Sequence, residues 1–205
     1  MLRVGLTGGY ASGKSFVAGE LERRGCLLIY ADRFGHAVLE KGGDAYEPTV
    51  KAFGPGILQP DGSIDRKKLG ALVFDSPERL AQLTSFVHPA VFRLEHELLQ
   101  HWEAQHPAGI AVIEAAILIE TGRNGAFDRM ILVGCSLETQ IARGMKRDHL
   151  TREEVLTRLA RQMPLEEKKK YAHYFINTDG TKEETIRQVE DVYRELNELA
   201  EGVRT

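Results

Sequence analysis

Apolar residues along this chain fall into short runs separated by stretches with helical spacing. Leu2–Thr7 predicts a first strand, Leu27–Tyr30 a second, and Ile110–Ile113 and Met130–Val133 two short buried ones. Tyr174–Ile176 completes a set of five. Between them lie helical patterns. Ser15–Arg24 reads as a helix stopped by Gly25, and the last helix carries Ile186, Val189, Val192, Tyr193, Leu196 and Leu199 on one stripe, a face for packing on a sheet. Start signals are local and legible. Ser76 precedes Pro77 as an N-cap would, and Thr151–Glu154 and Thr181–Glu184 each fit a capping box. Alternating strands and helices predict an α/β fold with a mostly parallel five-stranded sheet. Residues 42–106 break the alternation. They carry the turn signals Gly54-Pro55-Gly56 and Pro60-Asp61-Gly62 among helical stretches, and read as a helical insertion within one domain spanning 1–205.

Composition narrows the function. With 205 residues and 42% hydrophobic content the chain can bury a real core, and a net charge of −3 lacks the basic excess of a dedicated nucleic-acid binder. Cys26 and Cys135 form no C-x-x-C pair and read as buried, reduced thiols. The N-terminus runs straight into the first strand, and the longest apolar runs fall short of the ~20 residues of a membrane span. A soluble, cytoplasmic protein without a membrane partner is expected. Lys168-Lys169-Lys170 reads as a solvated helix face.

Gly8-Gly9-Tyr10-Ala11-Ser12-Gly13-Lys14-Ser15 matches G-x-x-x-x-G-K-[ST] between an apolar strand and a helix. In such a loop backbone N–H groups converge on phosphate oxygens, Gly13 leaves room for them, and Lys14 brings charge to the β- and γ-phosphates. Ser15 offers a hydroxyl to Mg²⁺, and the helix N-terminus faces the anion. ATP with Mg²⁺ is the expected ligand, and transfer of its terminal phosphate to a small acceptor the expected chemistry.

Asp32 follows the second strand, where a carboxylate could take the proton of an attacking hydroxyl. Position alone leaves an N-cap role equally open. Asp32-Arg33-Phe34-Gly35 spells the D-x-x-G of a GTPase switch, but no N-K-x-D follows, and no L-S-G-G-Q transporter signature occurs. Arginines gather at 143, 147, 152, 158 and 161 on consecutive predicted helices, where a lid over residues 136–171 could neutralise phosphate charge; decoration of exposed helix faces, for Arg152 above all, stays open beside it. Arg143 and Arg147 lie one turn apart and share a face.

These residues together resemble the dephospho-coenzyme A kinase family, from Leu2 to about Gly180. Val4-Gly5-Leu6-Thr7-Gly8-Gly9 with Ser12-Gly13-Lys14-Ser15 is similar to the family's opening. Ala31-Asp32 is similar to the end of its D-A-D motif, and Asp61-Gly62, Asp65-Arg66, Leu69, Val73 and Phe74 to its substrate-domain signature. His88-Pro89, Ile117–Glu120, Arg143, Arg147, Arg158, Gln162 and Ile176-Asn177 with Gly180 follow in family order. The resemblance implies a three-layer P-loop kinase fold with a helical acceptor-binding insertion and a helical lid. It implies that ATP phosphorylates the ribose 3′-hydroxyl of dephospho-coenzyme A, with Asp32 as base and Lys14 and Arg147 stabilising the transferred charge. ATP contacts are expected from Gly8 through Ser15, Phe16, Arg143 and Asn177, and acceptor contacts from Asp32, Asp65, Arg66, Leu69, Phe74, His88 and Pro89. For His88 a buried structural role stays open beside the acceptor role. A nucleoside monophosphate kinase, or a nucleotide-dependent switch protein, is the alternative activity, and a monomer or weak homo-oligomer the expected assembly. Three positions depart from the family: Tyr30 stands for the first Asp of D-A-D, Ala11 for a loop glycine and Ala116 for a proline. Ala11 requires a backbone torsion that a non-glycine residue can adopt.

Overall fold

The computed structural model describes residues 1–74 and 76–202; Asp75 of the expected insertion and residues 203–205 of the expected domain lie outside the described residues. The chain divides into two compact units, Met1–Ile29 with the chain from Glu103 onward, and Tyr30–Trp102.

The first unit holds the sheet. Its strands are β1 (Leu2–Gly8), β2 (Leu27–Tyr30), β3 (Ile110–Glu114), β4 (Arg129–Gly134) and β5 (Tyr174–Asn177), in the order β2-β3-β1-β4-β5. β1 pairs in parallel with β3 and β4, and β4 with β5. The apolar runs are continuous because both faces are covered: Val4, Leu6, Val112, Ile131, Leu132, Val133 and Ile176 are all buried. Helices α1 (Lys14–Arg23) and α9 (Lys182–Gly202) pack together and against β1 and β3. Val189, Val192 and Leu196 of the expected stripe are buried, joined by Thr185 and Ala200. Ser136 caps α6 (Leu137–Asp148), and both capping boxes form: Thr151 with Glu154 opens α7 (Arg152–Leu159), and Thr181 with Glu184 opens α9.

The Lys168-Lys169-Lys170 run is not a uniform solvated face. Lys168 ends α8 (Leu165–Lys168) fully buried, its Nζ donating to the Ala116 carbonyl at 3.1 Å and pairing with Glu120 at 2.8 Å. Glu120 also accepts from the Met163 N–H at 3.1 Å. Fold-generated counter-charge makes the burial possible. Lys168→Met is expected to cost about 2 kcal/mol, below the 3–5 of a fully buried broken pair, because Glu120 keeps part of its surface in water. An unchanged urea midpoint would show that the pair adds nothing.

The second unit is helical: α2 (Ala31–Ala37), α3 (Tyr46–Phe53), α4 (Arg66–Val73) and most of α5 (Pro77–Gln105). Ile57, Ile64, Leu69 and Val73 form one small core, and Val38, Ala45, Ala90 and Val91 another. At the expected Pro60-Asp61-Gly62 turn, Asp61 accepts from the Ser63 N–H and hydroxyl at 2.8 and 2.7 Å. The serine hydroxyl bond chiefly holds its carboxyl below the usual range. The Ser76 hydroxyl accepts from the Arg79 N–H at 3.3 Å, the expected cap of α5.

Candidate active site

The loop after β1 enters α1 through Gly13, which has φ +92°. The torsion favours glycine, and a Cβ there would also crowd Thr178 Oγ1 at 3.3 Å. Ala11 also has a positive φ, +56°, in the left-handed region that costs an alanine about 1 kcal/mol. That torsion is the one the family's glycine would take freely, and the surrounding contacts hold it here. The Ser12 hydroxyl is buried without a hydrogen-bond partner, an orphan that suits a phosphate oxygen.

A cavity of about 500 Å³ opens over this loop, lined by Ala11–Phe16 together with Arg143, Lys146 and Arg147 of α6. Lys14 reaches back, its Nζ 3.4 Å from the Gly9 carbonyl and 4.0 Å from Glu114 at the end of β3, with both side chains largely buried. Glu114 was not singled out from sequence; the signal was a charge closing an apolar strand beside the loop strand.

Arg143 donates to Thr178 Oγ1 at 2.9 Å and to the Thr178 carbonyl at 2.6 Å. Thr178 Oγ1 in turn donates to the Ser12 carbonyl at 2.7 Å. One threonine thus ties Arg143 of α6 to the loop. A second cavity of about 230 Å³ lies between Gly13, Phe16, Arg143 and Thr178 on one side and Gly180–Lys182 on the other. Its wall near β5 comes from Thr178. The neighbouring Asn177 is engaged elsewhere, its backbone bridged by the Gln188 side chain and its Oδ1 accepting from the Asp179 N–H at 2.9 Å. Thr178 went unnoticed because a lone threonine carries no pattern.

Arg147 borders the larger cavity but is already paired. It grips Asp148 through two bonds of 2.8 and 2.9 Å and lies 5.0 Å from the Tyr10 ring centre. Arg158 approaches the same ring and the same carboxylate, and the Tyr10 hydroxyl donates to Asp148. Arg147 foremost, then Tyr10, holds the Asp148 carboxyl far below its usual range. Burial first, then Asp148, pushes the Tyr10 phenol up.

The remaining expected residues lie in the Tyr30–Trp102 unit. Asp32 is exposed in the first turn of α2 and is not its cap, a position held by Tyr30 without a side-chain bond; the N-cap alternative is thereby removed. Asp65 does cap: it accepts from the Lys67 and Lys68 N–H groups and so fixes the start of α4, where Arg66 is exposed. Leu69 is a core residue at 3% exposure, whereas Phe74 stands 62% exposed. Half-buried His88 stacks on Phe92 within α5, where Pro89 sits inside the helix. Cys26 and Cys135 are both buried and unpaired in disulfides; burial pushes the Cys26 thiol up to about 12.

No helix among the described residues is long and apolar enough to cross a membrane. A family model described as dephospho-CoA kinase matches residues 2–184. The chain is 42% identical over 200 residues to a dephospho-CoA kinase of Geobacillus kaustophilus, covering 97% of this chain and 98% of that one. A crystal structure of TT1252 from Thermus thermophilus superposes with a TM-score of 0.83 at 36% identity, covering 95% and 97% of the two chains. A dephospho-CoA kinase from Campylobacter jejuni gives 0.63 at 24% identity over 95% and 96%, a likeness of fold.

Proposed function

Since the chain belongs to the dephospho-CoA kinase family and phosphorylates dephospho-CoA with ATP in coenzyme A synthesis, we propose the following division of labour among its residues. The loop Gly8–Ser15 cradles the ATP phosphates, and Phe16, Arg143 and the turn after β5 receive the base. The observation that carries this is the unpartnered buried hydroxyl of Ser12 under a cavity closed by Lys14 and Arg143. The unit Tyr30–Trp102 supplies acceptor contacts, with Arg66, Phe74 and His88 the accessible candidates. Asp65 and Leu69 contribute by holding α4 in shape.

Asp32 takes the proton from the ribose 3′-hydroxyl. That oxygen forms a bond to the γ-phosphorus, the bond from the γ-phosphorus to the bridging oxygen breaks, and its electron pair leaves on ADP. Lys14 meets the charge on the transferred group. Arg147 joins it after exchanging Asp148 for phosphate. The α6–α8 segment acts as the lid that excludes water.

Mg²⁺ fits the donors present. Ser15 offers an exposed hydroxyl beside the cavity, and no group of three or more His, Cys, Asp or Glu among the described residues is placed to hold a metal. Such a sparse set of hard oxygen donors suits a cation carried mainly by phosphates and water, with Ser15 as the protein ligand. Bound there, it would neutralise phosphate charge. Two buried cysteines outside any disulfide support a reducing compartment, the cytoplasm.

The test is ADP release from ATP–Mg²⁺ with dephospho-CoA, AMP, CMP or adenosine added separately. Stimulation by dephospho-CoA alone is expected. Stimulation by a nucleoside monophosphate instead would overturn the acceptor assignment while leaving the cradle standing.

A further inference from the structure

The loop residue Tyr10 is held at both of its backbone groups by side chains distant in sequence. The Gln162 Oε1 accepts from the Tyr10 N–H at 2.7 Å, and Gln140 Nε2 donates to the Tyr10 carbonyl at 2.7 Å. Gly9 makes room for Gln140: a Cβ there would stand 2.6 Å from its Nε2, whereas Gln162 Oε1, at 3.7 Å, would be in ordinary contact. Each bond grips a different peptide plane. The Tyr10 carbonyl shares its plane with the Ala11 N–H, so holding it sets the approach to Ala11. The Tyr10 N–H shares its plane with the Gly9 carbonyl, which accepts from the Ser12 N–H at 3.2 Å and from Lys14 Nζ at 3.4 Å. Gly9–Ser12 is therefore a turn with φ +56° at its third residue, a place where a type II turn favours glycine and this chain has alanine. A backbone in that region persists only where its surroundings over-determine it.

We propose that Gln140 and Gln162 are positioning residues that clamp the phosphate loop in its ATP-binding form, hold the strained Ala11 turn, and through the Gly9 carbonyl aim Lys14. Neither touches the reacting atoms in this scheme. The proposal rests on the reading of Gly8–Ser15 as the ATP cradle.

The test is a double-mutant cycle between Gln162→Leu and Ala11→Gly, read as the Kd for ATP–Mg²⁺ by calorimetry without acceptor. Leucine keeps the bulk and removes the acceptor for Tyr10 N–H. Gln162→Leu alone is expected to weaken ATP about tenfold, the usual effect of losing one such bond. In the Ala11→Gly background, where the turn is no longer strained, the same change is expected to cost under about threefold, because contacting sites couple non-additively. Gln140→Leu, on α6 rather than in the segment after α7, repeats the comparison and carries it if the Gln162 variant does not fold. Equal penalties in both backgrounds, or no penalty from either glutamine, would overturn the clamp while ATP binding by the parent kept the cradle. A parent that bound no ATP would overturn both.

Discussion

Asp32→Asn is expected to lower turnover with dephospho-CoA by about 10²–10⁴-fold, the range for removing a general base, with ATP affinity within about a factor of two of the parent. Asparagine keeps the shape of the side chain while removing its charge and its basicity. The prediction is clean because Asp32 has no capping duty: α2 begins at Ala31 with Tyr30 as its cap residue, and the carboxylate is exposed in the first turn. The helix loses only the charge of one first-turn carboxylate, about 0.3–1 kcal/mol, too little to account for a fall of that size. The measurement is a pair: steady-state ADP formation at saturating substrates, and calorimetric ATP binding. Near-parental turnover would remove Asp32 from the chemistry.

Lys14→Ala is expected to weaken ATP–Mg²⁺ binding by about ten- to a hundredfold and to slow turnover as well. A hydrogen bond to a charged group contributes about 1.5–3 kcal/mol, and this cation meets charge in both the ground state and the transition state. The substitution also takes a cation away from the buried Glu114, 4.0 Å distant, which adds a stability effect unrelated to nucleotide. The double variant Lys14→Ala with Glu114→Gln separates the two. Its unfolding midpoint should recover towards that of the parent, while ATP affinity should stay low. Unchanged affinity in the single variant would show that the loop does not cradle phosphate.

Arg147 differs from Lys14 in an instructive way. Both read from sequence as cations of a phosphate site, one from a loop motif and the other from helical spacing. Lys14 is held inside the cradle, whereas Arg147 is spent on Asp148 and Tyr10. Its next neighbour in the chain was visible all along. What sequence reading lacked was the placement of α6 and α7 beside the loop, which brings Tyr10 and Arg158 to the same carboxylate and completes the cluster.

By itself the amino-acid sequence determined what depends on neighbours along the chain. The five strands follow from short apolar runs, the helix starts from caps that bond three residues ahead, and the phosphate loop from eight consecutive residues whose glycines and lysine act on one another's backbone. Tertiary structure alone decided where polar groups find partners across long separations. Tyr10 meets Gln140 and Gln162 over 130 and 152 residues, and Thr178 reaches Ser12 over 166. Lys168 is buried against Glu120 where sequence reads a solvated run, and Leu69 packs with Ile57, Ile64 and Val73 in a small core. The physical reason is one. A propensity or a cap is settled by a few adjacent torsions, whereas the cost of burying a polar group is settled by whether the completed fold delivers its partner.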